Sequence, residues 1–166
     1  MRAWKVLGIA GVAATVALPC IADVTRGSVT NLPIPRYVSL KAPEGNVRRG
    51  PSLSHRIDWV FQRRAMPLMV TDEFGHWRRV QDFDGAGGWM HYSLLSGART
   101  VIVREDMAAM RMKPEDDAPA NAHAEAGVVA RLGTCLRDWC RIQAAGHRGW
   151  VQKVAIWGVT SDETRD

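Results

Sequence analysis

The sequence predicts an all-β protein in which two small tandem β-barrels, packed together, follow an N-terminal signal peptide. Three observations lead to this fold class. The N-terminus is basic, then apolar, then rich in small residues; a set of motifs recurs after about 62 residues; and short apolar strands alternate with turn-forming residues.

The N-terminal segment has the three parts of a secretory signal peptide. Arg2 and Lys5 form a basic start, residues 6–18 are apolar and uncharged, and Cys20 and Ala22 stand at positions −3 and −1 of the predicted cleavage site. The apolar stretch is shorter than the roughly 20 residues that a membrane span needs. We therefore expect cleavage after Ala22 and export to the periplasm or out of the cell.

Cleavage would remove Cys20 and leave an even pair, Cys135 and Cys140. In an oxidising compartment such a pair is expected to form a disulfide, and opposite positions of a hairpin have a suitable separation. The alternatives are a zinc site completed by His147, for which further ligands at a recognisable spacing are missing, and a catalytic thiol. A lipid anchor on Cys20 is disfavoured by the preceding Pro19. We expect no metal and no cofactor.

An internal repeat divides the rest of the chain into two copies. Three anchor segments recur in the same order at separations of 63, 62 and 61 residues, and this slow drift indicates single-residue deletions in turns. The aligned pairs are residues 47–51 with 110–114, 77–80 with 139–142, and 88–91 with 149–152.

Each copy consists of short strands with turn signals between them, which is typical of a small barrel or sandwich. No stretch after the signal peptide sustains a helical period, although short 3₁₀ turns are expected at 93–95 and 154–156. The predicted elements are strands at 58–62, 67–70 and 127–133, turns at 73–76 and 82–88, and a hairpin closed by the two cysteines.

These elements predict the domain organisation. Residues 99–104 are predicted to form the last strand of the first copy. The polar stretch 114–124 is predicted to be an exposed loop. Copies this small and this closely joined should share an interface, because each alone would have a thin core. The predicted parts are a signal peptide at 1–22, an extended lead-in at 23–35, barrel 1 at 36–104, barrel 2 at 105–159 and a frayed C-terminal tail at 160–166.

The repeated anchors resemble the bacterial SH3-like (SH3b) domain family. The first copy has Val-Arg-x-Gly-Pro-Ser at 47–52, Gly-His-Trp at 75–77 and Gly-Trp-Met at 88–90. The second has the Cys-x₄-Cys hairpin and Gly-Trp-Val at 149–151, but differs at 112–115. The resemblance covers about residues 36–159. It implies an SH3-like barrel in each copy, binding of cell-wall peptide, glycan or protein targets, and no catalysis.

The function predicted from these features is that of an exported, non-catalytic binding module of the cell envelope. It would recognise peptidoglycan peptide or glycan, or an envelope protein. Common enzyme signatures are absent from the sequence, and its five histidines occur singly. The alternative is an accessory subunit that packs its barrels against a larger protein. Nucleic acid is a poor partner for an exported chain, and no stretch after the signal peptide is apolar enough to span a membrane.

Candidate ligand-binding residues lie in the first copy, whose net charge from 36 to 104 is +5, against −2 from 105 to 166. Its three arginine doublets must each leave one side chain outside a barrel, and Arg carries the geometry that suits carboxylates. Trp59 and Tyr92 have no aromatic counterpart in the second copy. The predicted ligand residues are therefore Arg48, Trp59, Arg63, Arg78 and Tyr92.

Tryptophans that occur at equivalent positions of the two copies have two interpretations. They could line an aromatic groove, or they could fill the two cores, where large aromatics supply much of the apolar burial of a small barrel. The sequence favours the core for both pairs, which are Trp77 with Trp139 and Trp89 with Trp150.

Overall fold

The computed structural model describes residues 25–166, so the predicted signal peptide and its cleavage site after Ala22 lie outside the described residues. Within them the chain is all-β, with short 3₁₀ turns at Tyr92–Leu94 and Lys153–Ala155, one residue earlier than expected. The strands are β1 Arg36–Leu40, β2 Gly45–Arg48, β3 Ile57–Phe61, β4 Pro67–Phe74, β5 Trp77–Gln81, β6 Gly87–His91, β7 Leu95–Ser96, β8 Thr100–Val103, β9 Ala108–Arg111, β10 Ala120–Ala124, β11 Val129–Cys135, β12 Trp139–Ala144, β13 His147–Gln152 and β14 Ile156–Trp157.

The strands form two sheets of the same topology. The first has the order β3-β2-β6-β5-β4-β1-β7, and the second β10-β9-β13-β12-β11-β8-β14. Each strand of the second sheet is the seventh strand after its counterpart in the first, so the two copies repeat strand for strand. The prediction of two tandem barrels is confirmed.

The predicted turns of the first copy owe their shape to individual residues. Gly75 has a φ of +50° in the two-residue turn between β4 and β5, a conformation that favours glycine. Between β5 and β6 the Asp82 carboxylate accepts hydrogen bonds from the backbone N–H groups of Asp84 and Ala86, at 3.1 and 2.8 Å.

Two segments differ from the prediction. Residues 99–104, expected to end the first barrel, contain β8, which pairs with β11 and β14 in the second sheet. All four residues of β8 are buried, as expected for a strand with a neighbour on each side. The stretch 114–124 is a loop only as far as residue 119. Its remainder forms β10, because backbone pairing with β9 outweighs the low strand propensity of Ala and Asn.

The two cores are mainly aliphatic. In the first unit the core contains Leu40, Val47, Phe61, Leu68, Val70, Val80 and Met90; in the second, Val101, Val103, Met110, Leu132, Ile142, Val151 and Ile156 are joined by several alanines and both cysteines. The prediction that the paired tryptophans fill these cores is wrong. All four are only half-buried, and aliphatic side chains, with Phe61 in the first unit, fill the two interiors instead.

The two ends of the described chain are folded against the barrels. The segment expected to be an extended lead-in turns back on itself through a bridge between Arg26 and Pro33. The tail is not frayed. The backbone N–H groups of Arg165 and Cys135 each donate to the carbonyl oxygen of the other residue, and the Glu163 carboxylate accepts from Arg99 at 2.7 and 3.0 Å.

The disulfide between Cys135 and Cys140 joins β11 to β12, with an S–S distance of 2.03 Å and Cα atoms 4.1 Å apart. The two residues are directly opposite each other in the hairpin. This confirms the predicted pairing and places the covalent link in the second unit.

The two units contact each other directly. Arg63 donates to the carbonyl oxygen of Gly127 at 2.7 Å, and the Thr100 hydroxyl donates to that of Ala65 at 2.7 Å. The rings of Tyr37 and Trp157 meet edge to face, with centroids 5.1 Å apart. The shared interface expected from the small size of the copies is thus present.

Candidate functional site

Large apolar residues are exposed along one edge of the first sheet. They are Leu53, Ile57, Trp59 and Val60, whose exposed fractions are 75, 41, 53 and 45%; Val60 projects from the opposite face of β3 to Trp59. We call this edge, with these four residues, the β3 surface. Among the described residues β3 pairs only with β2, so it is an edge strand of the sheet. An edge strand that exposes several large apolar residues is an aggregation hazard unless something covers it.

The loop before β3 is held in place by its own chain. The Arg48 guanidinium donates to the carbonyl oxygens of Leu53 and His55 at 3.0 and 2.7 Å. Gly50 lies so close to the His55 ring that a Cβ atom there would come within 2.5 Å of its Nε2 atom. Arg48, a predicted ligand residue, therefore acts in this structure as a brace for the loop that carries Leu53.

Charged side chains form one border of the β3 surface. The Asp58 carboxylate accepts from Arg56 at 2.7 Å and from Arg49 at 3.1 Å, and both guanidinium groups are well exposed. The hydrogen bond from Arg56, followed by that from Arg49, lowers the pKa of Asp58 below its usual value. The border therefore keeps a net positive charge beside the apolar residues.

The second unit has no equivalent of this surface. Its counterpart of β3 is β10, whose sequence is Ala-Asn-Ala-His-Ala and contains no large apolar side chain. Both strands are edges of sheets with the same topology. The exposed apolar residues are therefore a property of the first unit and not a requirement of the fold.

An aromatic cluster surrounds Tyr92, which is 49% exposed. Its ring centroid lies 5.6 Å from that of His76 and 5.0 Å from that of His91, and His91 also meets Trp77 edge to face at 5.5 Å. Among the described aromatic contacts none joins Tyr92 to Trp59, so the structure does not bring these two predicted residues into one aromatic cluster.

The residue of the second unit that is equivalent to Tyr92 is Lys153. It is only 9% exposed, and its Nζ atom donates to the carbonyl oxygens of Ser161 and Glu163 in the tail. The tail thus covers in the second unit a site that is open in the first.

The three arginines predicted to bind ligand are less available for binding than the two aromatic residues. Arg78 is only 8% exposed, and its guanidinium contacts Glu73 and donates to the carbonyl oxygens of Gly75 and Trp77. Arg63 links the two units through Gly127. With Arg48 bracing its loop, all three guanidinium groups already have partners within the chain.

Sequence reasoning missed the apolar neighbours of Trp59. The sequence does not single out Leu53, Ile57 and Val60, because a β-rich sequence gives no sign of which strand is at an edge. The absence of large apolar residues in the equivalent strand of the second copy was the available signal. The ligand-binding role of Trp59 and Tyr92 stays a prediction.

No group of three or more His, Cys, Asp or Glu side chains in the described part of the chain is arranged to hold a metal ion. Residues 25–166 also contain no helix of the length and apolarity needed to cross a bilayer.

Comparison with known protein families gives one family model that matches the chain at two places. The family model described as "Bacterial SH3 domain" matches residues 41–97 and again 104–158. No curated protein matches the sequence.

Two solved structures align with part of this chain. NlpC2 from Trichomonas vaginalis aligns at 12% identity with a TM-score of 0.34, over 74% of this chain and 48% of that one. NlpC1 from the same organism aligns at 11% identity with a TM-score of 0.35, over 83% of this chain and 51% of that one. The chain thus spans about half the length of these proteins.

Proposed function

The chain belongs to the bacterial SH3 domain family, in two tandem copies, and on this basis we propose that it is an exported, non-catalytic binding module of the cell envelope. Domains of this family are cell-wall binding modules, and a disulfide fits an oxidising compartment outside the cytoplasm. The ligand we propose is an extended peptide segment of the wall or of an envelope protein.

The observation that carries this proposal is the β3 surface. Four large apolar side chains are exposed beside a strand that has backbone groups available on its outer edge. An extended peptide can add to such an edge through main-chain hydrogen bonds while its alternate side chains contact the apolar residues. Burial of these residues would contribute about 25 cal/mol per Å² of apolar surface removed from water.

The two units would then have different roles. With β8 in the second unit, residues 36–98 of the first have 9 Lys/Arg and 6 Asp/Glu, a net charge of +3, and this unit carries the β3 surface. Residues 99–166 have 10 of each and no net charge, and they carry the disulfide and the docked tail. We propose that the first unit recognises the ligand and the second supports it.

The same surface also suits the alternative role of an accessory subunit. Four apolar side chains on one edge could pack permanently against a larger envelope protein instead of binding the wall. The two functions differ in whether the isolated chain binds wall material.

A sedimentation assay with purified peptidoglycan tests the proposal. We expect the unchanged protein to bind, and Trp59→Ser to weaken binding about tenfold, because an exposed Trp at the centre of an interface often supplies a large share of its binding energy. Met112→Ser is the matched control: Met112 is also an exposed apolar residue, 65% accessible, but lies in the second unit.

The control should sediment with peptidoglycan as the unchanged protein does, and circular dichroism should show that both variants fold. If the unchanged protein does not sediment with peptidoglycan, wall binding is wrong. Equal loss in the two variants would contradict the assignment to the β3 surface.

A further inference from the structure

A cleft of about 370 Å³ lies where the two units meet. The first unit contributes Leu40, Lys41 and the Arg64–Ala65 turn, and the second contributes Val129 and Arg131 of β11. It includes no residue of the β3 surface. Neither barrel could form this cleft alone, so it exists only because the chain is a tandem repeat.

Its charged side chains all have the same sign. Lys41, Arg64, Arg99 and Arg131 line the cleft, and no carboxylate does. Arg99 is neutralised by its bidentate contact with Glu163, at 2.7 and 3.0 Å. None of the ion pairs recorded for residues 25–166 involves the other three cations. A cleft lined by one sign of charge concentrates the field and attracts the opposite charge.

The backbone of the cleft is held firmly. Ala65 has a φ of +62°, which is unfavourable for a residue with a Cβ atom. Its N–H donates to the carbonyl oxygen of Leu40 at 2.9 Å, and its own carbonyl accepts from the Thr100 hydroxyl at 2.7 Å. These two bonds hold the strained turn between the units, next to Arg64 in the lining of the cleft.

We propose that this cleft is a binding site for a small organic carboxylate with at least two negative charges, such as a short acidic peptide. Three cations without acidic partners match a ligand with two carboxylates, which guanidinium groups bind through paired hydrogen bonds. The apolar walls formed by Leu40, Ala65 and Val129 provide room for a short carbon chain, which an inorganic anion lacks. This site is separate from the β3 surface, and its existence does not depend on the proposed function.

Titration of the isotope-labelled full chain with the tripeptide Ala-Glu-Ala, followed by NMR, tests the site. We expect saturable shifts of backbone signals at residues 40–41, 64–65 and 129–131. The replacements Arg64→Gln and Arg131→Gln should each weaken binding about tenfold, the loss expected when one charge-assisted hydrogen bond is removed. Arg137→Gln, at an exposed arginine in the turn between β11 and β12, should bind as the unchanged protein does.

Two further ligands define the chemistry of the site. The same tripeptide with both carboxylates converted to amides should cause no shifts, and neither should inorganic phosphate at equal concentration. The proposal is overturned if the unchanged protein shows no saturable shifts, if Arg64→Gln and Arg131→Gln bind normally, or if the amide or phosphate binds as well as the tripeptide. Preserved amide spectra of the variants establish that any loss does not arise from misfolding.

Discussion

Replacing Glu73 by Gln is expected to lower the free energy of unfolding by about 3–5 kcal/mol, the cost of breaking a buried ion pair. The Glu73 carboxylate is completely buried. It accepts from Arg36 at 2.6 Å, from the Thr30 hydroxyl at 2.6 Å and from the N–H groups of Thr30 and Val29 at 2.8 and 3.0 Å. Gln would leave the guanidinium groups of Arg36 and Arg78 without their counter-charge, and its amide N–H groups would face other donors.

The same carboxylate makes the stability depend on pH. Burial alone would raise its pKa, but the hydrogen bonds from Thr30, Arg36 and Val29 outweigh burial and lower the pKa to about 2, from 4.5. A depressed pKa in the folded state means that the stabilisation is complete above about pH 4.5 and is lost as the pH falls towards 2. The difference in pKa corresponds to about 3 kcal/mol.

Urea unfolding at pH 7, 4 and 3 measures both effects. The unchanged protein should lose more stability between pH 7 and pH 3 than Glu73→Gln, because the variant has no carboxylate to protonate at this position. Glu44→Gln, a change at an exposed acid of the same unit, serves as the control and should follow the unchanged protein. Parallel profiles for Glu73→Gln and the unchanged protein would refute the role given to Glu73.

Replacing Met90 by Ala is expected to destabilise the first unit by about 2–5 kcal/mol, the range for a fully buried aliphatic side chain. Met90 is 0% exposed and packs in the first core. Trp77→Ala should cost less, because Trp77 is only half-buried and lies outside that core. Thermal or urea unfolding of both variants compares them directly. A larger loss in Trp77→Ala than in Met90→Ala would show that the aromatic residues, and not the aliphatic ones, hold the barrel together.

The repeat made most of the fold predictable. Motifs such as Gly-His-Trp at 75–77 and Gly-Trp-Met at 88–90 mark hairpins whose shape depends on local residues, so the turns and the adjoining strands could be located from sequence alone. The disulfide was predictable for the same reason, since Cys135 and Cys140 close a single hairpin.

Features that depend on distant partners were not predictable in the same way. Residues 100–103 follow the first barrel in sequence but pair with β11, and nothing local in the strand identifies its partner. The docking of the tail depends on Arg99 meeting Glu163, which are far apart in the chain. The choice between tryptophan and aliphatic side chains for the core depended on which face of each strand points inward: Met90 is buried, whereas the adjacent Trp89 is only half-buried.

The candidate site was predicted in part. Trp59 and Tyr92 stood out because the second copy lacks aromatic residues at these positions, and both are exposed. The net positive charge of the first copy favoured Arg78 as a ligand residue, but it does not show that the Arg78 guanidinium is buried beside Glu73. Burial of a charged group depends on its partner in the fold, and net charge holds no information about that partner.

Hydrogen exchange of the full chain with and without purified peptidoglycan tests the central claim most directly, namely that the β3 surface of the first unit is the recognition site. Bound peptidoglycan should slow exchange in residues 53–61, which contain β3 and the loop before it, because an added strand satisfies the amides of the open edge. Exchange in the equivalent residues of the second unit, 116–124, should be unchanged. Protection confined to 116–124, or equal in the two segments, would contradict the claim.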